Sequence, residues 1–173
     1  MFKLFWSIKA LRSAQYFAWR VILNRVATKD NHRRRGTTLQ DTFFALSGLE
    51  EETVSHLFFT CNIANKVWNM CNRWVGVSTT HHNHSCVHFQ NFSMLHFNNK
   101  GNNLWKGLWI SIIWNTWSHR NRVVFRKEKV DVEEIFTMAQ LRVWTWIKHK
   151  SPIVKFSYVE WLQCPIECIR SVS

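Results

Sequence analysis

The segment from Phe44 to Cys61 carries a His and a Cys at the spacing of two ligands of a compact metal site. His56 and Cys61 are separated by four residues, and Phe44 and Ser47 stand upstream, where two further ligands would complete the set. If both upstream residues were Cys, the segment would read C-x2-C, eight residues, H-x4-C, a spacing at which three thiolates and one imidazole enclose zinc tetrahedrally. The segment therefore predicts a zinc-knuckle scaffold that lacks two of its four ligands.

Motifs on both sides of this segment follow a known pattern. They are Phe17-Ala-Trp19-Arg20, Thr28-Lys-Asp-Asn31, Arg33-Arg-Arg-Gly36, Glu51-Glu-Thr-Val-Ser-His56-Leu-Phe-Phe-Thr-Cys61 and Val67-Trp68. From about Tyr16 to Trp74 the chain resembles the zinc-binding domain that follows the polymerase in plant LINE-type (non-LTR) retrotransposon reverse transcriptases. The Trp-rich stretch 104–122 resembles the helix that often trails this domain. The resemblance implies an accessory region that binds template RNA or target DNA, while catalysis takes place in another part of the polyprotein.

Departures from the family pattern concern mainly the metal site. They are Ala27 for a Pro, His32 for a Leu, and Phe44 and Ser47 for the C-x-x-C pair. Structural zinc contributes an apparent ~10–16 kcal/mol in such peptides, whereas whole domains are stable by roughly 5–15 kcal/mol. We therefore expect no bound cofactor, a knuckle that is either held by apolar residues or loose, and His56 and Cys61 as vestigial ligands. Since each Cys replacement needs a single base change, the pattern suits a degenerate transposon copy.

Apolar periodicity predicts a mainly α fold, with a small zinc-knuckle-like helical domain followed by a Trp-rich antiparallel helical pair. The predicted divisions are 1–76, the degenerate zinc-binding domain; 77–103, a His/Asn/Ser-rich linker; 104–150, the Trp-rich helical region; and 151–173, a C-terminal tail. With 46% hydrophobic residues, 11 Trp and 13 Phe, the chain has ample material for a core.

Capping residues and helix breakers predict where several helices begin and end. The predicted helix starts are at Ser13, Thr28, Asn62 and Asp131, and the predicted stops are at Gly36, Gly76 and Ser151-Pro152. Glu134 lies three residues after Asp131, as in a capping box. The apolar stripes of the Trp-rich region indicate core packing between its two helices.

The net charge of +12 is concentrated at the two ends of the chain. Residues 1–35 hold nine Lys or Arg and a single acidic residue, Asp30. Cations of this kind bind phosphates without sequence preference, and the candidate contacts are Arg20, Arg25, Lys29, Arg33, Arg34 and Arg35. Arg20 and Arg25 also fit the polar side of a helix, and the Arg33–Arg35 triplet also fits a solvated helix end. The predicted partner is RNA or DNA, with no small-molecule substrate.

A second group of possible metal ligands lies in the predicted linker. These residues are His81, His82, His84, Cys86 and His88. Imidazole and thiolate bind zinc and copper, yet a His-rich linker without fixed surrounding contacts binds metal weakly and adventitiously. Cys164 and Cys168 have no neighbouring His in the sequence, so we expect no metal site there.

The sequence argues against catalysis. A polymerase centre needs clustered aspartates to hold two magnesium ions, and Asp30, Asp41 and Asp131 are scattered. No strand-rich acidic pattern of an RNase H follows residue 99. A Cys–His hydrolase built on His56 and Cys61 or Cys71 is a minor alternative, because the knuckle already explains these residues.

Two other functional classes stay open at this stage. The chain could be an interaction or structural remnant without a selected activity, translated from a truncated element. It could instead be a metal-dependent protein that combines His56 and Cys61 with a linker His. An odd number of cysteines, the lack of a long apolar run and the lack of a signal-peptide pattern predict an intracellular protein, nuclear or cytoplasmic, that is neither secreted nor inserted in a membrane.

Overall fold

The computed structural model describes residues 2–38, 50–78, 82–150 and 154–172. Their regular structure is helical, without a β-strand in these ranges, so the predicted mainly α fold is confirmed. The helices are α1 (Phe2–Ser7), α2 (Arg12–Ile22), α3 (Lys29–Arg34), α4 (Asn62–Trp74), α5 (Ser85–Asn91), α6 (Asn99–Arg126), α7 (Val132–Lys150), α8 (Tyr158–Gln163) and α9 (Pro165–Ser171), with a π-helical turn at His56–Thr60.

A long helical hairpin, α6 and α7, forms the centre of the molecule. Lys127 ends α6 in the left-handed conformation, with φ of 59°. Asp131 begins α7, because its Oδ1 accepts a hydrogen bond from the backbone N–H of Glu134 at 2.9 Å. Farther along, Ser111 Oγ donates to the carbonyl oxygen of Ala139 at 3.0 Å. The two helices therefore run antiparallel, with buried apolar side chains between them.

The amino-terminal region packs directly on this hairpin. The ring of Phe17 on α2 lies 5.6 Å from that of Trp114 and 5.3 Å from that of Trp117. Trp74 at the end of α4 makes an edge contact with Phe136 of α7, with ring centroids 5.8 Å apart. These ring contacts connect the amino-terminal helices and the Trp-rich helices in one hydrophobic core.

Capping residues and glycines in the sequence predict the ends of α3 and α4 to within one residue. The Thr28 side chain accepts a hydrogen bond from the N–H of Asn31, and Gly36 follows α3 with φ of 81°. Asn62 was the predicted cap of α4, but the capping residue is Cys61, whose Sγ accepts from the N–H of Ala64 at 3.2 Å. Gly76 ends α4 with φ of 66°. At α2 the prediction was less accurate, because this helix begins at Arg12 rather than beside Ser13 as its cap.

The segment 77–103, predicted as a linker, contains the short helix α5 and contributes to the core. Phe89 is fully buried, and Phe92 stacks on Trp105 with ring centroids 4.6 Å apart and planes 3° apart. Asn98 caps α6, since its side chain accepts from the N–H of Gly101. Part of this segment is therefore packed against its neighbours instead of being exposed polar chain.

The carboxyl-terminal segment also folds back onto the hairpin. Trp161 of α8 is fully buried and donates its indole N–H to the carbonyl oxygen of Gln140 at 3.1 Å. Trp74 donates in turn to the carbonyl oxygen of Leu162 at 2.8 Å. The predicted stop at Ser151-Pro152 lies outside the described residues. None of the helices in the described ranges has the length and apolar character needed to span a lipid bilayer.

Candidate functional site

The predicted ligands His56 and Cys61 lie at the two ends of the π-helical turn. The backbone N–H of Cys61 donates to the carbonyl oxygen of His56 at 3.0 Å, the i+5 to i hydrogen bond of a π-helix. The H-x4-C spacing thus equals one turn of this helix. Leu57, Phe58 and Phe59, inside the turn, are almost fully buried, which anchors it to the core.

The side chains of both residues already have protein partners. His56 is buried, and its Nδ1 lies 2.8 Å from Oε2 of Glu50. The Cys61 sulfur caps α4 and lies 3.8 Å from the carbonyl oxygen of Leu57. Burial raises the pKa of the Cys61 thiol, although the N–H of Ala64 opposes this shift.

A zinc ion needs four ligands in a closed structural site. Across the described ranges no group of three or more His, Cys, Asp or Glu is arranged to hold a metal ion. Phe44 and Ser47, at the other two knuckle positions, lie outside the described residues, and the sequence gives them a phenyl ring and a hydroxyl. Of the four knuckle positions, only His56 and Cys61 therefore carry a side chain that commonly binds zinc.

Glu52 has a central position that the sequence analysis missed. Its side chain has no exposed surface, and Arg120 of α6 binds it with two hydrogen bonds, Nη2 to Oε1 at 2.6 Å and Nε to Oε2 at 3.0 Å. The guanidinium of Arg120 also lies over the ring of Trp117, 5.0 Å from its centroid. This bidentate pair is buried between the Glu51-Glu-Thr motif and the Trp-rich helix.

The same glutamate fixes the start of α3. Oε1 of Glu52 accepts from the backbone N–H of Lys29 at 3.2 Å, and the Glu52 carbonyl oxygen accepts from the N–H of Asp30 at 3.2 Å. An anion at a helix N-terminus is favourable, because the first N–H groups of a helix have no partner within it. The signal in the sequence was the acidic motif itself, but nothing local identified Arg120 as its partner.

Apart from Lys29, which is half-buried at the start of α3, the predicted nucleic-acid contacts divide into two groups. Arg33 pairs with Glu51 at 2.6 Å and with Asp30 at 3.3 Å, and Arg34 pairs with Asp30 at 3.1 Å. Hydrogen bonding to Glu51 is the main reason that the pKa of Arg33 is raised. The positive charge of these two arginines is thus partly neutralised by neighbouring carboxylates.

The remaining arginines surround one backbone carbonyl. Arg20 Nη2 donates to the Arg25 carbonyl oxygen at 3.0 Å, and Arg35 Nη2 donates to the same oxygen at 3.4 Å. All three side chains are exposed, and within the described ranges none of them forms an ion pair with a carboxylate. We call Arg20, Arg25 and Arg35 the arginine cluster. The guanidinium groups of Arg20 and Arg35 thus meet at the backbone carbonyl of Arg25, where α2 ends and α3 ends.

The His-rich segment does not form a ligand set in its described part. His88 is buried between the rings of Phe59 and Trp68, at 4.7 and 4.5 Å, and its Nδ1 accepts from the indole N–H of Trp109 at 2.9 Å. His82 and His84 are exposed, whereas His81 lies outside the described residues. His88 therefore serves the aromatic core, and its Nδ1 lone pair is already engaged.

Comparison with known proteins agrees with the resemblance in the sequence. Residues 1–68 match the family described as zinc-binding in reverse transcriptase. The matched domain is a zinc-binding domain rather than a catalytic one. The chain has no significant match among curated proteins or among solved structures. The match covers α1 to α3, the π-helical turn and the first half of α4, so the similarity to the reverse transcriptase zinc-binding family lies in the amino-terminal region, residues 1–68.

Proposed function

We propose that the chain is a non-catalytic accessory fragment of a reverse transcriptase that binds RNA or DNA through its arginine cluster. The single observation that carries this proposal is the exposure of Arg20, Arg25 and Arg35 without carboxylate partners, inside the region that matches the family. Guanidinium groups of this kind pair with phosphate oxygens and displace condensed counterions. The resulting binding is sensitive to salt and tolerant of sequence.

The non-catalytic part of the proposal rests on how the acidic residues are used. Asp30 accepts from Arg33 and Arg34, and Asp131 caps α7. These two carboxylates belong to separate elements, and Asp41 lies outside the described residues. A two-metal phosphoryl-transfer centre requires acidic side chains that converge on one point.

A salt series tests the proposed binding. A labelled single-stranded RNA is titrated with the protein between 50 and about 300 mM salt, and the dissociation constant is measured by fluorescence anisotropy. We expect log affinity to fall linearly with log salt. The variant Arg25→Glu/Arg35→Glu should weaken binding and reduce the slope by about 0.7 for each phosphate contact that is lost.

The matched control reverses two cations outside the cluster. Lys66 and Arg73 are exposed on α4, so Lys66→Glu/Arg73→Glu changes the net charge by the same amount. Binding that is unaffected by salt, or equally weakened in both variants, would contradict a role for the arginine cluster.

We further propose that this function does not use zinc. Support comes from the use of the Cys61 sulfur as a helix cap and from the residues present at positions 44 and 47. Replacing Cys61 by Ser keeps an oxygen that can cap α4, whereas Cys61→Ala removes the cap and should cost about 1 kcal/mol. Chelator should leave the thermal unfolding of the wild-type chain unchanged.

Metal analysis provides the converse test. The double change Phe44→Cys/Ser47→Cys should restore zinc binding and raise the melting temperature in zinc, whereas either change alone should do little, because three ligands leave an open site. One equivalent of zinc in the purified wild-type chain, lost on replacing His56 or Cys61, would overturn the zinc-free proposal.

An intracellular location, nuclear or cytoplasmic, completes the proposal. All five cysteines of the chain are free thiols, and Cys61, Cys71 and Cys168 are buried. Proteins of oxidising compartments usually pair their cysteines in disulfides. Fluorescence microscopy of a tagged full-length chain would locate it.

A further inference from the structure

A cleft of about 720 Å³ opens on the side of the hairpin where α6 begins and α7 ends. The segment 154–156, the turn after α1 and the end of α9 close its other sides. Its volume lies within the ~300–1,000 Å³ range of ligand sites in proteins. Arg20, Arg25 and Arg35 do not line it, so the cleft is separate from the arginine cluster.

The floor of the cleft is apolar and partly aromatic. Leu104 of α6, Trp146 and Ile147 of α7, and Phe156 contribute to it. Trp146 and Ile147 are only half-buried, so part of their apolar surface borders the open volume. An exposed indole in a cleft can stack on a flat ring, and stacking of this kind tolerates any nucleobase.

The rim of the cleft is strongly basic. Lys9, Lys100, Lys150 and Lys155 come from four different segments of the chain, and all four are exposed. Lys150 Nζ donates to the carbonyl oxygen of Ala10 at 3.1 Å. Within the described ranges, the other three lysines have no ion pair with a carboxylate. The rim therefore presents positive charge from several directions.

One carboxylate also lines the cleft, but it is engaged elsewhere. Glu160 Oε2 accepts from both the backbone N–H and the hydroxyl of Ser157, each at 2.7 Å, in the capping box of α8. These hydrogen bonds lower the pKa of Glu160. A carboxylate fixed in this way leaves the cleft with an excess of positive charge.

Asn103 adds a polar group to the wall. Its Oδ1 is buried and accepts no hydrogen bond from any described residue. A buried acceptor without a donor costs about 1–3 kcal/mol. A ligand with an N–H group could remove this cost by donating to Asn103 after a small side-chain movement.

We propose that this cleft holds an unstacked nucleobase of a single-stranded nucleic acid, with the rim lysines on the phosphates that flank it. The inference rests on the proposed function only in assuming that the partner is a nucleic acid. It adds a second contact region and a preference for single strands. A base offers a flat ring for Trp146, N–H donors for Asn103 and phosphates on both sides for lysines of separate segments. A fatty acid offers a single anionic group and no donor, so it matches fewer of these features.

The test compares a labelled 12-nucleotide single strand with the duplex of the same sequence, using the full chain and fluorescence anisotropy. We expect Trp146→Leu to weaken single-strand binding about tenfold, because loss of one base stack reduces affinity by this order. Duplex binding should not change, since its bases are already stacked. Trp146→Phe, which keeps an aromatic ring, should retain most of the affinity.

Two controls separate the cleft from general effects. Trp144→Leu changes another half-buried tryptophan on the same helix, one that packs on Tyr158 and does not line the cleft. Lys100→Glu/Lys155→Glu should weaken single-strand binding more than the α4 control Lys66→Glu/Arg73→Glu. If Trp146→Leu fails to melt cooperatively, the Lys100/Lys155 pair decides the question.

The outcomes distinguish this inference from the proposed function. Weakening by the arginine-cluster variant, with no effect of any cleft variant, would overturn the cleft proposal and leave the function in place. Weakening by the cleft variants alone would overturn the role of the arginine cluster and support the cleft. Absence of binding to both oligonucleotides would overturn both. Displacement of a fluorescent fatty acid from the cleft, without displacement by mononucleotides, would reassign the cleft to an amphiphile.

Discussion

Glu52 and Arg120 form the kind of charged pair that proteins rarely bury. Both carboxylate oxygens are bound by one guanidinium, and a backbone N–H of α3 supplies a third hydrogen bond. Full desolvation of two ions is costly, so such a pair adds little net stability compared with apolar residues. Removing one partner is different, because the other charge is then left buried without compensation.

Replacement of Arg120 by Met should therefore reduce the free energy of unfolding by about 3–5 kcal/mol. The measurement is urea unfolding followed by circular dichroism. Arg170→Met provides the control, because the pair of Arg170 with Glu167 is exposed and should contribute less than about 1 kcal/mol. Adding Glu52→Gln to Arg120→Met should recover part of the loss. Equal effects of the two Arg changes would refute the buried pair.

His119 is a second residue whose charge state is set by its surroundings. Its Nε2 accepts from the backbone N–H of Asp131 at 3.0 Å, and its Nδ1 lies 3.2 Å from Oε2 of Glu134. The N–H of Asp131 needs a lone pair on Nε2, and the cationic Nη2 of Arg122 lies 2.9 Å from Nδ1, so a doubly protonated ring is disfavoured here. Burial, followed by the positive charge of Arg122, lowers the pKa of His119, while Glu134 opposes this shift.

The lowered pKa of His119 predicts acid sensitivity. Above about pH 6.5, the ordinary His pKa, the ring is neutral in both the folded and the unfolded chain, so it adds no pH dependence. As the pH falls below this value, the unfolded chain takes up a proton that the folded chain excludes, and stability decreases. Urea unfolding at pH 7.5 and 5.5 should show this loss, and His119→Gln should reduce it. An NMR titration that gives His119 an ordinary or raised pKa would contradict the prediction.

At the scale of elements, glycines set helix ends where the backbone turns to positive φ. Gly76 ends α4 in this conformation, and a Cβ at this position would meet no heavy atom within 4 Å. The requirement for glycine is thus one of backbone conformation and not of space. Gly107 is the opposite case, because it lies inside α6 with ordinary helical backbone and has only Ile8 Cγ2 near a Cβ, at 3.9 Å.

The two glycines should therefore respond to alanine with opposite signs. Gly76→Ala should destabilise the chain by about 1–2 kcal/mol, the cost of a left-handed conformation for a residue with a Cβ. Gly107→Ala should stabilise it by about 0.5–1 kcal/mol, because alanine favours a helix interior. Thermal unfolding of the two variants beside the wild type measures both effects. If both changes shifted the free energy of unfolding in the same direction, the contrast between the two backbone conformations would be contradicted.

Helix ends were the part of the fold most accessible from the sequence. Thr28, Gly36 and Gly76 act through their own backbone or through residues a few positions away, so their effect is visible in the local pattern. The cap of α4 was misplaced by one residue because Asn is the commoner capping residue, and the sulfur of Cys61 takes that role here. Local chemistry thus predicts an element to within a residue or two.

At the scale of the whole molecule, contacts between distant segments were harder to predict from the sequence. The pairing of Glu52 with Arg120 spans 68 positions, and no periodic pattern connects them. Helix α5 lies in a polar stretch, and its packing depends on Trp109 as a donor to His88, 21 positions away. The six cations of the amino-terminal region were predicted as a set, but the pairing of Arg33 and Arg34 with carboxylates became clear only from the structure. The division at residue 76 stays a prediction.

These long-range contacts predict that residues 1–76 do not fold alone. In a fragment of this length, Phe17 would lose Trp114 and Trp117, Trp74 would lose Phe136, and the Glu52 carboxylate would lose its guanidinium. We expect a shallow thermal transition in circular dichroism for the fragment and a cooperative one for the full chain. A cooperative melt of the fragment would instead show that its own core is sufficient.

Helix α6 connects the two proposed contact regions for nucleic acid. Leu104 borders the cleft, whereas Arg120, through Glu52, holds the start of α3, the helix that ends beside Arg35. Sixteen residues of helix at 1.5 Å each separate Leu104 from Arg120 by about 24 Å. A strand that contacts both regions must bridge a distance of this order, which sets its footprint. Oligomers shorter than this footprint can occupy one region at a time, so affinity should rise in a step as the strand becomes long enough to reach both.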